Sequence, residues 1–429
     1  MVVKMVDLPL PRGVRDLTPN EALFRNELLK RIERVFQNFG FLLIDTPMIE
    51  KLSVLKAKGG IGEDAKLIYE IKDDDIGLRY DKTVSLARYM ASHQNLPLPF
   101  RRYDIGRAWR REEPQRLRYR EFTQADADII GGESSLADAE VMALGASVLD
   151  AVGIPYRIEV NDRALMDRCL QKLGARPEQN VEIMRALDKL EKIGEQKVAE
   201  LIGKAGVDSE TTDRIVSFAM AHGANEEKLL QIESLLGDGE STKEIRMTLE
   251  LLALYPIKGK AVINSGMVRG FDYYTGIIFE YREIASGGVS PTICAGGRYD
   301  KLIGMLGGRP MPAVGFAIGV DRLLDMLDFS AAGEYTYSRV FVAWINRKNY
   351  GYALSVTNSL RAAGIPAEAN ISGRNLSNQL AYAGSIRVKY AIIIGDSEEQ
   401  EGVVKLRNLV NGSESKLALS DAVRTIRGE

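Results

Sequence analysis

The side chains with the most chemical potential lie between Phe100 and Gly131, in the sequence FRRYDIGRAWRREEPQRLRYREFTQADADIIG. The pattern predicts two antiparallel strands, Tyr103–Trp109 and Phe122–Ile130, joined by a charged loop. Alternate residues of a strand share one face. That face is predicted to carry a guanidinium, an aromatic ring, an amide and two carboxylates, which belong to Arg110, Phe122, Gln124, Asp126 and Asp128. These groups suit a small zwitterion bound beside a nucleotide phosphate.

The loop between the two strands is rich in arginine. Its guanidinium groups offer a grip on a polyanion, and they belong to Arg111, Arg116, Arg118 and Arg120. A merely solvated, charged turn is the alternative, because Glu112, Glu113 and Glu121 offset the arginines.

A second cluster, RGFDYYTG at 269–276, joins Arg269 to two adjacent tyrosines. If this segment is a strand, Tyr273 and Tyr274 point to opposite faces, one towards a ligand and one into the core. Taken alone, the tyrosines are more typical of core aromatics, and Arg110 and Arg269 are more typical of structural ion pairs. Only the combination of these residue types favours a binding site.

Two glycine-rich clusters follow, AGGRYD at 295–300 and AVGFAIGVDR at 313–322. Paired glycines let a backbone approach a ligand closely, and the second cluster predicts an apolar strand that runs into a helix. Arg322 in that helix can stack on a flat base or clamp a phosphate. The sequence contains no Walker A motif and no dinucleotide-binding glycine motif between a strand and a helix. Arginines on an antiparallel sheet are therefore the physical alternative for holding a nucleotide.

The elements that must position these clusters fall into three regions. A capping box at Thr18–Glu21 begins a predicted helix, and a short strand is predicted at Phe41–Ile44. Residues 163–255 have a helical pattern and contain 13 Lys and Arg against 17 Asp and Glu, a net charge of −4. Residues 336–429 alternate strand and helix and contain 12 Lys and Arg against 8 Asp and Glu, a net charge of +4. The first region indicates a helical insertion, and the second a separate α/β domain compatible with contact to RNA.

Composition excludes several classes of protein. The chain has 429 residues, a net charge of −2 and two cysteines, Cys169 and Cys294, whose spacing fits no metal site or disulfide framework. With only His93 and His222, a histidine-ligated metal site or a Ser-His-Asp triad is nearly excluded. The N-terminal residues show no signal peptide or membrane span, so we expect a cytoplasmic protein.

The four clusters, in this order, resemble motif 2, the two histidine-specific signatures and motif 3 of the histidyl-tRNA synthetase family, which belongs to the class II aminoacyl-tRNA synthetases. RGFDYYTG and AGGRYDKL carry most of the resemblance. The family implies an α+β fold, with an antiparallel sheet flanked by helices, a helical insertion and a C-terminal α/β anticodon-binding domain. The corresponding boundaries are a catalytic core at 1–162 and 256–330, an insertion at 163–255 and an anticodon-binding domain at 336–429.

The resemblance also implies an activity and partners. Such an enzyme ligates L-histidine to tRNA(His) through a histidyl-adenylate, with ATP as a substrate and release of AMP and diphosphate. It implies Mg²⁺ as a cofactor without directly identified protein ligands. It further implies a homodimer, formed through the segment that ends at Pro47, and no membrane or DNA partner.

Site residues carry over from the family one by one. The implied histidine-binding set is Asp81, Thr83, Arg110, Gln124, Asp128, Arg269, Tyr273, Tyr274 and Tyr299. The implied ATP-binding set is Arg110, Glu112, Arg118, Phe122 and Arg322. Arg269 and Arg110 would be the catalytic cations, and Gln115 and Arg116 would contact the acceptor end of tRNA.

The sequence departs from many bacterial members of the family. Residues 78–83 read LRYDKT, and Asp81 and Asp128 stand where that branch uses glutamate, which resembles the archaeal and eukaryotic branch more closely. Two other functions stay open. One is the related regulatory subunit of ATP phosphoribosyltransferase, which usually lacks the terminal domain and the full arginine set. The other is a synthetase-like module that senses uncharged tRNA.

Overall fold

A computed structural model describes residues 8–57, 66–268, 273–284, 291–327 and 336–428. Two compact units make up the chain: Met1–Arg15 with Leu28–Leu327, and Asp16–Glu27 with Asp328–Glu429. None of the helices in the described ranges is both long enough and apolar enough to cross a membrane.

The first unit is built around a sheet. Its strands are β1 (Leu42–Leu43), β2 (Ile49–Lys51), β3 (Tyr69–Glu70), β4 (Ile76–Leu78), β5 (Phe100–Trp109), β6 (Glu121–Ile130), β7 (Tyr156–Asp162), β8 (Ala261–Ile263), β9 (Ile277–Glu283), β10 (Thr292–Arg298) and β11 (Ala313–Gly319). Among the described residues, eight of them form one sheet in the order β1-β5-β6-β11-β10-β9-β7-β8. Only the outer pairs β1–β5 and β7–β8 are parallel in that part of the chain. Strands β2, β4 and β3 form a small second sheet.

Helices flank this sheet. They are α1 (Pro19–Asn38, of which the part from Leu28 belongs to this unit), α2 (Leu52–Leu55), α3 (Thr83–Ser92), α4 (Ser134–Val152), α5 (Arg163–Leu173), α6 (Asn180–Leu187), α7 (Leu190–Ile193), α8 (Glu195–Lys204), α9 (Ser209–Ala219), α10 (Asn225–Leu236), α11 (Lys243–Leu252), α12 (Leu302–Met305) and α13 (Val320–Met326).

The predicted first helix is confirmed. The backbone N–H of Thr18 donates to Glu21 Oε2 at 2.7 Å, and the backbone N–H of Glu21 donates to Thr18 Oγ1 at 3.4 Å, which completes the capping box. Leu28, Ile32 and Phe36 of α1 are buried at a spacing of four residues, as a helix with one apolar face requires.

Helices α5 to α11 form the helical insertion, and four of them share a hydrophobic core. Leu170, Ile183, Ile202 and Ile215 of α5, α6, α8 and α9 are buried in one cluster, which Val268 from outside the insertion also joins. The helical character of the insertion is therefore confirmed, whereas the domain boundaries at 162/163 and 255/256 stay a prediction.

The second unit contains a separate α/β fold. Its elements are β12 (Val340–Trp344), α14 (Tyr350–Ala362), β13 (Ala367–Ala369), α15 (Leu376–Ser385), β14 (Tyr390–Ile394), α16 (Asp396–Glu401), β15 (Val404–Asn408), β16 (Glu414–Leu417) and α17 (Leu419–Arg427). The strand order is β13-β12-β14-β15-β16. Strand β12 is buried on both faces, with Val340 and Val342 in one cluster and Phe341 and Ala343 in another. The predicted fold class is thus confirmed for both units.

Candidate active site

The hairpin of β5 and β6 forms the platform predicted from the sequence. In its register, Ala108 lies opposite Phe122, Gly106 opposite Gln124, Asp104 opposite Asp126, and Arg102 opposite Asp128. Beyond the strand end, the backbone N–H of Arg110 donates to the carbonyl of Arg120 at 2.8 Å, so the pairing continues into the loop. The predicted row from Phe122 to Asp128 therefore shares one face.

Six charged side chains are buried on or next to that face of the hairpin. Three cations, Arg79, Lys82 and Arg102, and three carboxylates, Asp104, Asp126 and Asp128, are all at most 4% exposed. Burial of so many charges is tolerated only when they are paired and hydrogen-bonded. The sequence analysis identified Asp126 and Asp128 but missed the three cations and Asp104.

Arg102 is the partner of Asp128. Its Nη2 contacts Asp128 Oδ2, and the hydroxyl of Tyr299 donates to Asp128 Oδ1. Burial raises the pKa of Asp128, whereas Arg102 and the Tyr299 hydroxyl oppose that rise. For Asp126, burial raises the pKa to about 7, and the nearby charges of Lys82 and Arg102 oppose the shift.

Lys82 and Arg79 share the third carboxylate. Lys82 Nζ donates to Asp104 Oδ1 at 3.0 Å, and Arg79 Nη1 lies 3.7 Å from Asp104 Oδ2. Space for these cations comes from Gly106, since a Cβ there would lie 2.6 Å from Arg79 Nη2. This glycine is needed for the close approach of a buried guanidinium rather than for an unusual backbone conformation.

Three residues of the predicted histidine-binding set, Asp81, Thr83 and Gln124, lie at the start of α3 and on β6. Asp81 is buried, and its Oδ1 accepts the backbone N–H of Thr83 at 2.6 Å. Gln124 is buried on β6, and within the described ranges no donor reaches its Oε1. A buried acceptor without a donor is costly, so Gln124 is suited to receive a hydrogen bond from a ligand.

The three predicted tyrosines form one cluster with Asp128. The ring centroids of Tyr273 and Tyr274 are 4.6 Å apart, and those of Tyr273 and Tyr299 are 6.1 Å apart, edge to face. The expectation that Tyr273 and Tyr274 point to opposite faces of a strand is wrong. Both precede β9, which begins at Ile277, so strand alternation does not apply to them.

Most of the predicted nucleotide ligands surround the open end of the hairpin. The guanidinium carbon of Arg110 lies 5.1 Å from the ring centroid of Phe122, and its Nε donates to the carbonyl of Tyr80 at 3.1 Å. In the part of the chain that the structure describes, no carboxylate pairs with Arg110, which argues against a structural ion pair. Glu112 Oε2 lies 3.5 Å from Arg118 Nη1.

Arg322 reaches the same loop from α13. Its Nε donates to the carbonyl of Leu117 at 3.4 Å, and its Nη1 donates to the carbonyl of Thr292. Gln115 and Arg118 pair across a tight turn, and Gln115 and Arg116 are exposed there. The structure therefore brings the motif 2 loop and Arg322 together.

Arg15 links the N-terminal segment to this loop and to α13. Its Nη1 donates to the Tyr119 hydroxyl at 2.9 Å and to Asp325 Oδ1 at 2.7 Å, and its Nη2 donates to Asp321 Oδ1 at 3.2 Å. The Tyr119 hydroxyl in turn donates to Asp325 Oδ2 at 2.8 Å. Sequence reasoning missed Arg15 because its partners lie more than 100 residues away in the sequence.

The predicted catalytic cation Arg269 lies outside the described residues, together with 270–272. In the described ranges, no group of three or more His, Cys, Asp or Glu side chains is arranged to hold a metal ion.

The arrangement has two chemically different ends. The buried end has four carboxylates against three cations, and an amide oxygen that no donor among the described residues reaches. It therefore suits a ligand that brings positive charge and N–H groups. Arginines dominate the open end, which suits phosphates. A molecule bound at one end would meet a nucleotide at the other.

Comparison with known proteins agrees with this geometry. Residues 13–323 match the family model described as histidyl-tRNA synthetase, and residues 339–429 match the model of an anticodon binding domain. Among curated relatives, the histidine–tRNA ligases of Aeropyrum pernix and Thermococcus kodakarensis are 36% and 35% identical. The alignments cover 97% of both chains for the first, and 98% of this chain and 99% of the relative for the second. The crystal structure of histidyl-tRNA synthetase from Nostoc matches with a TM-score of 0.84 and 30% identity, covering 99% of this chain and 100% of that one.

Proposed function

The chain belongs to the histidyl-tRNA synthetase family, and on that premise we propose how its own residues carry out the family's reaction. The enzyme ligates L-histidine to tRNA(His) in two steps, through a histidyl-adenylate, with ATP as a substrate and AMP and diphosphate as products. One observation supports the assignment of roles: a single face of the hairpin carries the buried Gln124, Asp126 and Asp128, and Arg110 continues the strand pairing at its open end.

Histidine would bind at the carboxylate end. Asp81, Thr83 and Gln124 would accept hydrogen bonds from the α-amino group or orient it. The buried Gln124 Oε1 supports this role, because it has no donor among the described residues. A carboxylate offers about four acceptor sites. Asp128 could therefore accept an imidazole N–H while it also contacts Arg102 and Tyr299.

The other ring nitrogen would be recognised by tyrosine. Tyr274 would bond to it, and Tyr273 and Tyr299 would close the pocket around the ring. Their mutual packing supports this role, since the three rings lie beside one another. Two polar groups at opposite ends of the imidazole would discriminate against apolar rings of similar size.

ATP would bind at the arginine end. Arg110 would hold the histidine carboxylate and the α-phosphate, with Arg269 facing the α-phosphate from the other side. Arg118 and Arg322 would hold the γ-phosphate, and Phe122 would stack on adenine in the place that the Arg110 guanidinium now covers. Each donor aimed at the developing phosphate charge would lower the barrier by roughly 2.7–4 kcal/mol.

Mg²⁺ would arrive with the nucleotide. Its preferred partners are one or two carboxylates together with phosphate oxygens, which is consistent with the lack of a three-ligand cluster in the described ranges. Glu112, which lies beside Arg118 at the arginine end, would meet either the adenine edge or the ion's hydration shell. A bound Mg²⁺ would supply charge neutralisation on the phosphate oxygens.

The tRNA would contact both units. Exposed Gln115 and Arg116 at the tip of the motif 2 loop would reach its acceptor end. The terminal domain, with the predicted boundaries 336–429, would bind the anticodon, as its match to the anticodon binding family supports. The catalytic core would comprise 1–162 and 256–330 with the insertion at 163–255. An enzyme of translation with these substrates would act in the cytoplasm.

A second copy of the chain would cover the free edge of the sheet. Strand β1 is an edge strand, and Leu42 and Leu43 on it are 61% and 59% exposed. Nearby, Met48 and Ile49 are also about half exposed. Exposed apolar residues on an open edge favour association, so we expect a homodimer. Sedimentation of a Leu42→Asp variant as monomers, with the wild type as dimers, would support it.

Histidine-dependent exchange between ATP and diphosphate tests the proposed roles. Arg269→Ala is expected to keep the fold and to slow exchange by roughly 10²-fold or more. Arg107→Ala is the matched control, because Arg107 is 54% exposed and pairs with Glu121 at the surface. A near-normal rate for Arg269→Ala would show that Arg269 is not a catalytic cation.

The same assay separates the other functions. A regulatory subunit would bind histidine without exchange, and an uncharged-tRNA sensor would bind tRNA tightly without charging it. The match of 339–429 to an anticodon binding domain argues against the first. Arg110, which forms no ion pair with a carboxylate among the described residues and lies over the Phe122 ring, argues against the second.

A further inference from the structure

Among the described residues, Lys82 is the most deeply buried lysine of the first unit, which contains the catalytic site, and 1% of its surface is exposed. An ammonium group in such a place is strongly disfavoured unless each N–H has an acceptor. Lys82 Nζ donates to the Asp104 carbonyl at 2.8 Å, to Asp104 Oδ1 at 3.0 Å and to the Gln124 carbonyl at 3.1 Å. Its three N–H groups thus match three acceptors.

These contacts join three elements at one point. Lys82 directly precedes α3, Asp104 lies on β5 and Gln124 lies on β6. One ammonium group therefore fixes the start of α3 against both strands of the hairpin. A side chain held by three hydrogen bonds to two strands leaves little freedom in that spacing.

The residues held apart by this spacing are the proposed ligands of the amino group. Asp81 and Thr83 flank Lys82 in the sequence and are linked by a 2.6 Å hydrogen bond. Gln124 is held through its backbone carbonyl, which leaves its side-chain Oε1 without a donor in the described part of the site. A shift of α3 relative to β6 would change the distance between Asp81 and Gln124, although neither side chain itself would be altered.

We propose that Lys82 is a positioning residue for recognition of the α-amino group of histidine, acting through Asp104 and the Gln124 carbonyl. This inference rests on the proposed function and adds to it a residue that does not itself touch the substrate. Lys82 sets the separation of Asp81 and Gln124, and its buried charge partly balances the carboxylates that surround the site.

The electrostatic surroundings are consistent with this role. Burial lowers the pKa of Lys82, whereas the charges of Asp126 and Asp104 oppose that fall. The side chain thus depends on the carboxylates beside it, and removal of the ammonium group is expected to loosen the contacts of α3 with Asp104 and with the Gln124 carbonyl.

The test uses Lys82→Met, which keeps an unbranched chain but donates no hydrogen bond. The probes are histidine and imidazolepropionate, which has the ring and the carboxylate but lacks the amino group. In histidine-dependent exchange, we expect KM for histidine to rise by roughly 10-fold or more, with KM for ATP and kcat changed by less than about 3-fold. The inhibition constant of imidazolepropionate is expected to stay within about 2-fold of the wild-type value.

A purely structural role would give a different pattern. If Lys82→Met weakened histidine and imidazolepropionate equally, or lowered kcat while KM for histidine stayed unchanged, the proposal would be overturned. Asp104→Asn covers the case in which Lys82→Met does not fold, because the amide keeps an oxygen acceptor for Lys82 but loses the charge. It is expected to weaken histidine binding less than Lys82→Met does, and again to weaken histidine more than imidazolepropionate. Equal weakening of both would overturn the proposal.

Two controls separate this inference from the proposed function. Lys56→Met removes an exposed lysine that pairs with Glu70 at 2.8 Å, and it is expected to change neither probe. If the wild type showed no histidine-dependent exchange, the proposed function itself would fail. If the wild type were active and Lys82→Met did not distinguish the two probes, only the positioning role would fail.

Discussion

Replacement of Arg102 by methionine would break a buried ion pair under the proposed imidazole site. Arg102 and Asp128 are 1% and 2% exposed, and the guanidinium contacts the carboxylate directly. Methionine fills much of the same volume without a charge, so the variant leaves Asp128 buried without its main cation. The remaining partner is the hydroxyl of Tyr299, which is a neutral donor.

The expected effect on stability follows from the burial of both partners. Removal of one member of a buried pair costs about 3–5 kcal/mol, whereas an exposed pair contributes about 0–1 kcal/mol. The carboxyl of Asp128 has a second response, because Arg102 is the strongest influence that opposes the rise of its pKa by burial. Without Arg102, the pKa of Asp128 is expected to rise further, and a carboxyl group that holds its proton more tightly is a poorer acceptor for an imidazole N–H.

The assay can report on the catalytic unit alone. The chain has two tryptophans, Trp109 on β5 and Trp344 on β12, so a Trp344→Phe background leaves only the fluorescence of Trp109. In this background, Arg102→Met is expected to lower the urea midpoint by about 1 M or more. It is also expected to raise KM for histidine in the exchange assay.

The neighbouring residue provides the matched control. Arg101 pairs with Glu140 at 2.9 Å, and its side chain is 34% exposed. Arg101→Met is expected to shift the urea midpoint only slightly. If Arg102→Met and Arg101→Met destabilised the unit equally, or if Arg102→Met left KM for histidine unchanged, the reasoning from burial would be wrong.

Three further predictions concern other parts of the site. Gly315→Ala places a Cβ 1.8 Å from Asp128 Oδ1, so KM for histidine should rise by roughly 10-fold or more while KM for ATP changes little, as initial-rate measurements would show. Arg15→Met removes the 2.7 Å hydrogen bond to Asp325 that joins the N-terminal segment to α13. Because α13 also carries Arg322, KM for ATP should rise more than KM for histidine, and the reverse order would contradict a link between Arg15 and the nucleotide site. Since burial raises the pKa of Asp126 from 3.8 to about 7, the folded state binds this proton more tightly than the unfolded chain. Its contribution to stability is therefore present below about pH 4 and is lost as the pH rises to about 7. The free energy of unfolding of the wild type relative to Asp126→Asn should accordingly fall between about pH 5 and pH 8 in urea titrations, and a constant difference would refute this shift.

The hairpin could be predicted from the sequence because its information is local. The alternation in Phe122, Gln124, Asp126 and Asp128 defines a face, and the observed register preserves it. The predicted strand Tyr103–Trp109 was three residues too short at its start, since β5 begins at Phe100. Strand boundaries depend on pairing with the partner strand, which the single-strand pattern does not contain.

The buried cations could not be predicted in the same way. Lysine and arginine are almost never fully buried unless they are paired, so LRYDKT gave no local sign that Arg79 and Lys82 point inward. Their partners Asp104 and Gln124 lie more than 20 residues away. Asp104 gave no such signal either, because it faces Asp126, a charge of the same sign. For Arg102 a signal did exist, because it lies on β5 directly opposite Asp128. Charges of opposite sign facing each other across a hairpin indicate cross-strand pairs.

The charge balance of the site explains why its ligand should be a cation at one end. Three buried cations lie beside four buried carboxylates. The cations are Arg79, Lys82 and Arg102, and the carboxylates are Asp81, Asp104, Asp126 and Asp128. Neighbouring carboxylates that cannot all be neutralised push a pKa upward, which agrees with the raised pKa of Asp126. The α-ammonium group of histidine would supply the missing positive charge where Gln124 has an acceptor to spare. An amino acid therefore completes the site electrostatically, and an uncharged analogue of the same shape would leave one carboxylate unbalanced.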